Sequence, residues 1–176
     1  MQNSLFENMA MSVAVQPPLH KANVGSSSLK KYVLTLSKNF MSTHPKAGQP
    51  TNFFIKVQQG EKIHTIRGNY ELWQKRISEI NNGKAVLCIR EWSGKPYRSA
   101  QTELMQLNKV GLQKIEWTPL GWFIDGVESD VRTKKLARND GLSLEDFAAW
   151  FKGGIVMEDK YNMEPMAIIH FTDFRY

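Results

Sequence analysis

The chain has 176 residues, 41% of them hydrophobic and 23% charged, with a formal net charge of +6. That length carries one domain with a sizeable core, and no apolar run reaches the ~20 residues of a membrane helix. The single cysteine, Cys88, excludes an internal disulfide and a cysteine metal cluster, and a reducing, cytoplasmic compartment is expected.

The charge invites a nucleic-acid partner. However, Lys21, Lys30 and Lys31 against Glu7 give the segment up to Lys31 a net of +2, which leaves +4 for the rest. Local clustering must therefore decide. Residues 1–29 read as a flexible tail, because Pro17-Pro18 and Gly25-Ser26-Ser27-Ser28 sustain no regular structure. Its first residues, with Asn3, Glu7 and Asn8, lack the basic region of a secretory signal.

Residues 30–176 are expected to form the domain. Tyr32 to Leu36 reads as a strand. A polar loop with His44 follows, and His44 is expected to be exposed. Thr51 is positioned to cap a short helix that uses Phe53, Phe54 and Val57 and stops at Gly60. Next comes Glu61-Lys62-Ile63-His64-Thr65-Ile66-Arg67, then a helix over residues 69–82 with Leu72, Trp73, Ile77 and Ile80 at helical spacing. Ala85 to Ile89 reads as a buried strand. Further strands are expected over 101–107, 112–117 and 122–124. Val131 to Arg138 reads as a short basic helix. Ser143, with Asp146 three residues on, opens another helix that Gly153 closes, and Ala167 to Phe171 is a last strand. Short strands with helices between them predict an α+β fold, a small and mostly antiparallel β-barrel decorated with helices.

The 61–67 segment concentrates an amine, an imidazole, a hydroxyl and a guanidinium. Side chains alternate along a strand, so Thr65 and Arg67 share a face while Lys62 and Thr65 do not. Lys62 can meet Thr65 only from a turn after Gly60, which glycine permits. An amine whose pKa is lowered by burial or by Arg67 can accept the proton of a threonine hydroxyl. The same residues also serve as solvated charges at strand ends around a β-forming threonine.

Gly60-Glu61-Lys62-Ile63-His64-Thr65-Ile66-Arg67 resembles the signature of the ASCH superfamily. Asn139-Asp140-Gly141-Leu142-Ser143 with Phe147 resembles that family's acid-glycine segment before a late helix. The order of elements agrees with the family over about Tyr32 to Tyr176. The resemblance implies a PUA-like barrel with a polar cleft that binds RNA or nucleotides. It also implies a second activity known in the family, amide hydrolysis of acetylcytidine by a lysine, a threonine and a late acid. On this chain those map onto Lys62, Thr65 and Asp140, with aspartate where the enzymes carry glutamate.

Other residues extend the reading. His64 is a candidate ligand contact, or a hydrogen-bonded structural histidine. Arg90, Trp92 and Tyr97 lie in a run where basic and aromatic side chains interleave around a glycine-proline turn, suited to stacking and anion pairing. The strand before them can carry Arg90 into the barrel mouth. Arg132, Lys134, Lys135 and Arg138 form a basic helix face, suited to phosphate or simply solvated. The histidine spacing fits no zinc site, so no metal and no cofactor are expected.

The leading reading is a nucleotide- or RNA-binding domain with catalytic-type residues Lys62, Thr65 and Asp140 and ligand-binding residues His64, Arg67, Arg90, Trp92 and Tyr97. The alternatives are an amidohydrolase of an acylated pyrimidine nucleoside and a protein-interaction module. No membrane partner is expected.

Overall fold

The structure, a computed structural model, describes residues 29–118, 121–128, 133–151 and 164–176. The expected tail, apart from Leu29, lies outside the described residues, as do Val131, Arg132 and Gly153.

The elements follow in the order β1 (Lys30–Leu36), α1 (Phe53–Gln58), β2 (His64–Arg67), α2 (Tyr70–Asn81), β3 (Ala85–Trp92), β4 (Gln101–Leu107), β5 (Gly111–Thr118), β6 (Gly121–Ile124), β7 (Val127–Glu128), α3 (Thr133–Asn139), α4 (Leu144–Trp150) and β8 (Met166–His170). The fold is mixed α+β with mostly antiparallel sheets. One sheet has the order β1-β3-β4 and the other β2-β8-β5-β6-β7. The β1–β3 pair is parallel, which its long crossover through α1, β2 and α2 permits. Among the described residues no strand pairing joins the two sheets. Their end strands meet through one side chain, Arg67 of β2, whose Nη2 donates to the Thr35 carbonyl of β1 at 2.8 Å.

The core follows from periodicity. Leu34 and Leu36 of β1 and Leu87 and Ile89 of β3 point inward, and β8, between β2 and β5, buries Ala167, Ile168 and Ile169. Helix α2 closes the core with Trp73, Ile77 and Ile80. Leu72 falls off that stripe and is half exposed, because it sits one residue, about 100°, from Trp73. No helix among the described residues is long and apolar enough to cross a membrane.

Two expectations change. Asn52, in the left-handed region at φ 57, occupies the N-cap of α1 without a side-chain cap bond. Thr51 instead accepts from the Phe53 N–H at 3.3 Å and donates to the Ser37 carbonyl at 2.6 Å. His44 is buried rather than exposed. It stacks on Phe40, accepts at Nδ1 from the Lys46 N–H and lies 3.2 Å from the Asp146 carbonyl through Nε2. The loop therefore closes on α4 instead of facing solvent.

Candidate functional site

Two helix ends build the site. At the end of α1 the Gly60 N–H returns to the Val57 carbonyl and the Glu61 N–H to the Lys56 carbonyl, the paired closure of a Schellman motif. Gly60 supplies the left-handed residue at φ 72. The Lys62 N–H bonds the same Lys56 carbonyl, so Lys62 is folded against the helix end before β2 begins. The end of α3 repeats the device. The Gly141 N–H returns to Arg138 and the Leu142 N–H to Ala137, with Gly141 at φ 77. Asp140 is the last residue before that turn. The two turns meet in an isolated antiparallel bridge, Lys62 with Asp140. A Cβ on Gly141 would stand 3.0 Å from the Lys62 Cβ, so glycine is needed there for approach as well as for φ.

Lys62 is 1% exposed, Thr65 2% and Asp140 3%. Lys62 Nζ donates to Asp140 Oδ1 at 2.7 Å and to the Asp140 carbonyl at 2.6 Å, and it lies 4.3 Å from the Phe53 ring centre. Lys56 Nζ donates to the Gly141 carbonyl at 2.7 Å. Two ammonium groups thus sit at the C-terminal end of α3, where the helix dipole favours them. Burial pushes the Lys62 amine down to about 8, against the opposing pull of Asp140. Burial pushes the Asp140 carboxyl up, against Lys62, Arg67 and a hydrogen bond from Thr65. The Thr65 hydroxyl favours the charged form of Asp140, and the hydrogen bonds of Lys62 Nζ go to Asp140. Arg67 shares the Thr65 face of β2 and stays partly in solvent. Its two hydrogen bonds, to the Thr35 and Ile66 carbonyls, leave guanidinium donors unspent.

The turn after Gly60 that the spacing demanded is present, and Lys62, Thr65, Arg67 and Asp140 converge. His64 stands behind them, 0% exposed. Its Nε2 lies 2.7 Å from the Tyr176 hydroxyl, and its Nδ1 is 3.7 Å from Asp140 Oδ1. Burial holds its pKa well below the usual histidine value, with His170 and Lys62 adding to the effect, so its ring is neutral near pH 7.

Arg90, Trp92 and Tyr97 do not join this cluster. Strand alternation sets Arg90 and Trp92 opposite the core face that holds Ile89. Arg90 is half-buried on β3: it pairs with Glu103 of β4 at 3.1 Å, and its Nε is buried without a hydrogen-bond partner among the described residues. Trp92 and Tyr97 meet with ring centres 5.3 Å apart at the β3–β4 turn, and Tyr97 is 90% exposed. Lys134, Lys135 and Arg138 are solvated on α3, with Lys135 Nζ over the Phe174 and Tyr176 rings.

Sequence reasoning missed Phe53, Lys56, Asn139 and Tyr176 as neighbours of the site. Asn139 precedes the acid-glycine pair, a placement that could have marked it. Tyr176 carries no local signal. Among the described residues no three His, Cys, Asp or Glu side chains form a group that could hold a metal ion. The chain matches no family model, no curated protein and no solved structure.

Proposed function

We propose that the chain is an ASCH-type domain of PUA-like architecture that binds a nucleotide, a nucleoside or an exposed RNA base where β1 and β2 meet. The observation that carries this reading is the buried Lys62–Asp140 pair, 2.7 Å apart, with Thr65 and Arg67 favouring the charged form of the same carboxylate. Burial shifts both Lys62 and Asp140 against their charged forms, so the pair is poor value as a stability device. Perturbed groups held together in this way are a functional-site signature. Arg67 is the member solvent reaches, and its unspent donors suit a phosphate or a base carbonyl. The Arg67 bridge between the end strands β1 and β2 supports barrel-like closure. Calorimetric titration with nucleotides and short RNA at low salt should give saturable binding that Arg67→Ala weakens at least tenfold. Absence of saturable binding at low salt rejects the reading.

A second reading is favoured by the Lys62 amine, whose pKa near 8 leaves a usable neutral fraction. In this amidohydrolase Lys62 turns from Asp140 and takes the Thr65 proton. Thr65 Oγ1 adds to the amide carbonyl of an acylated pyrimidine nucleoside. The amine leaves with a proton from Lys62, and water then releases the acyl group from Thr65. Chromatography of acetylcytidine incubated with the protein should show cytidine, with the rate rising towards pH 8. Lys62→Ala should abolish the reaction, and product formation by Thr65→Ala would remove Thr65 as nucleophile.

A further inference from the structure

Behind the cluster, Lys62 Nζ and His64 Nδ1 aim at the same atom. Lys62 lies 2.7 Å from Asp140 Oδ1 and His64 Nδ1 lies 3.7 Å from it. His64 is fully buried and its Nδ1 has no hydrogen-bond partner at this distance. Its other nitrogen is fixed. Nε2 is 2.7 Å from the Tyr176 hydroxyl, which also receives the Asn139 Nδ2–H at 3.0 Å. A phenol has one proton to give and two lone pairs to receive with. If Tyr176 accepted from both Asn139 and His64, its own proton would have no acceptor among the described residues, so that proton goes to His64 Nε2. The imidazole proton then belongs on Nδ1, on the side of Asp140. Tyr176 is itself held through its backbone: its N–H donates to Gln113 Oε1 at 2.8 Å and its carbonyl accepts from Gln113 Nε2 at 3.3 Å.

We propose that His64 is a reserve donor to Asp140 and that Tyr176, with Asn139 behind it, is the positioning residue that keeps its proton on Nδ1. This rests on the reading of Lys62, Thr65 and Asp140 as the functional centre. While Lys62 is bonded to Asp140, the His64 proton stands just outside hydrogen-bond range. When Lys62 turns to a ligand or to Thr65, a buried carboxylate loses its partner, which is costly. A small rotation of His64 restores one. The neutral ring brings a hydrogen bond to Asp140 without adding a second cation beside Lys62. The arrangement follows the general device in which one ring nitrogen is oriented by the bond the other makes.

The test is a nitrogen-15 spectrum of the full chain with labelled histidine, in which His64 is assigned among the four histidines with His20→Gln, His44→Gln and His170→Phe. Wild type should show His64 protonated at Nδ1 and bare at Nε2. Tyr176→Phe should lose that preference and give a mixed or inverted tautomer. In Lys62→Met the His64 Nδ1 proton should move downfield as it closes on Asp140. A wild-type ring protonated at Nε2 overturns the proposal, and so does a tautomer unchanged in Tyr176→Phe. The wild-type spectrum decides the tautomer even where a variant fails to fold. The readout needs no ligand, so a correct tautomer with no nucleotide binding and no hydrolysis rejects the proposed function while leaving the Tyr176–His64 arrangement in place.

Discussion

At the residue scale, the centre of the molecule is an ion pair that burial opposes. Lys62 and Asp140 are nearly inaccessible, and removing one partner leaves the other charge, or the Asp140 carbonyl, without its bond. Lys62→Met and Asp140→Asn should each destabilise the fold by ~3–5 kcal/mol in urea denaturation. The double variant should cost less than the sum by at least ~1 kcal/mol. Strict additivity would show that the two side chains are not coupled. The amine also predicts a pH dependence. Its folded pKa of about 8 lies below the ordinary 10.5, so the folded protein releases this proton first. Between those values the unfolded chain binds more protons, and the penalty on folding eases as pH rises. Relative to Lys62→Met, wild type should gain on the order of 1 kcal/mol per pH unit between pH 8 and 10. Paired urea midpoints check this, and a flat difference would place Lys62 in solvent.

At the element scale, two helix ends do the positioning. Gly60 and Gly141 both adopt left-handed φ, and both close Schellman turns whose carbonyls are satisfied by the chain that follows. An alanine in that conformation costs ~1–2 kcal/mol. Gly141 faces an added demand, since a Cβ there meets the Lys62 Cβ at 3.0 Å. Gly141→Ala should therefore destabilise more than Gly60→Ala by at least ~1 kcal/mol, the usual scale of overpacking. It should also weaken ligand binding, because it moves Lys62. Thermal melts of the two variants decide, and equal losses would show that φ alone sets the requirement. Much of this scale was legible in sequence. Trp73, Ile77 and Ile80 announce α2, and Ser143 announces α4 by accepting from the Asp146 N–H at 3.1 Å. The second half of that capping box is not formed, Asp146 being one methylene shorter than the usual Glu, and its carboxylate pairs with Lys46 at 2.7 Å. That contact spans a hundred residues and leaves no local trace.

At the scale of the whole molecule, two different chemistries stand at two places. The Lys62 cluster is enclosed between the ends of α1 and α3, and the Trp92–Tyr97 pair stands at the β3–β4 turn of the three-stranded sheet. Tyr97→Ala should leave the melting temperature nearly unchanged, since Tyr97 is 90% exposed, whereas Trp92→Ala, at a half-buried position of β3, should lower it. If RNA bases stack on this pair, each variant should weaken RNA binding by roughly 5- to 150-fold, corresponding to ~1–3 kcal/mol per base. Unchanged affinity would confine recognition to the Arg67 end. The sequence by itself determined most of the elements, though not β7, along with the turn at Gly60 and the chemistry of the 61–67 segment, because capping, periodicity and left-handed turns are properties of a few neighbouring residues. Tertiary structure decided the rest. It set Lys62 against Asp140 across 78 positions, paired Arg90 with Glu103, buried His44 and brought Tyr176 to His64. Each of those outcomes depends on which distant group shares a desolvated space, and a charge or an imidazole carries no record of that in its neighbours along the chain.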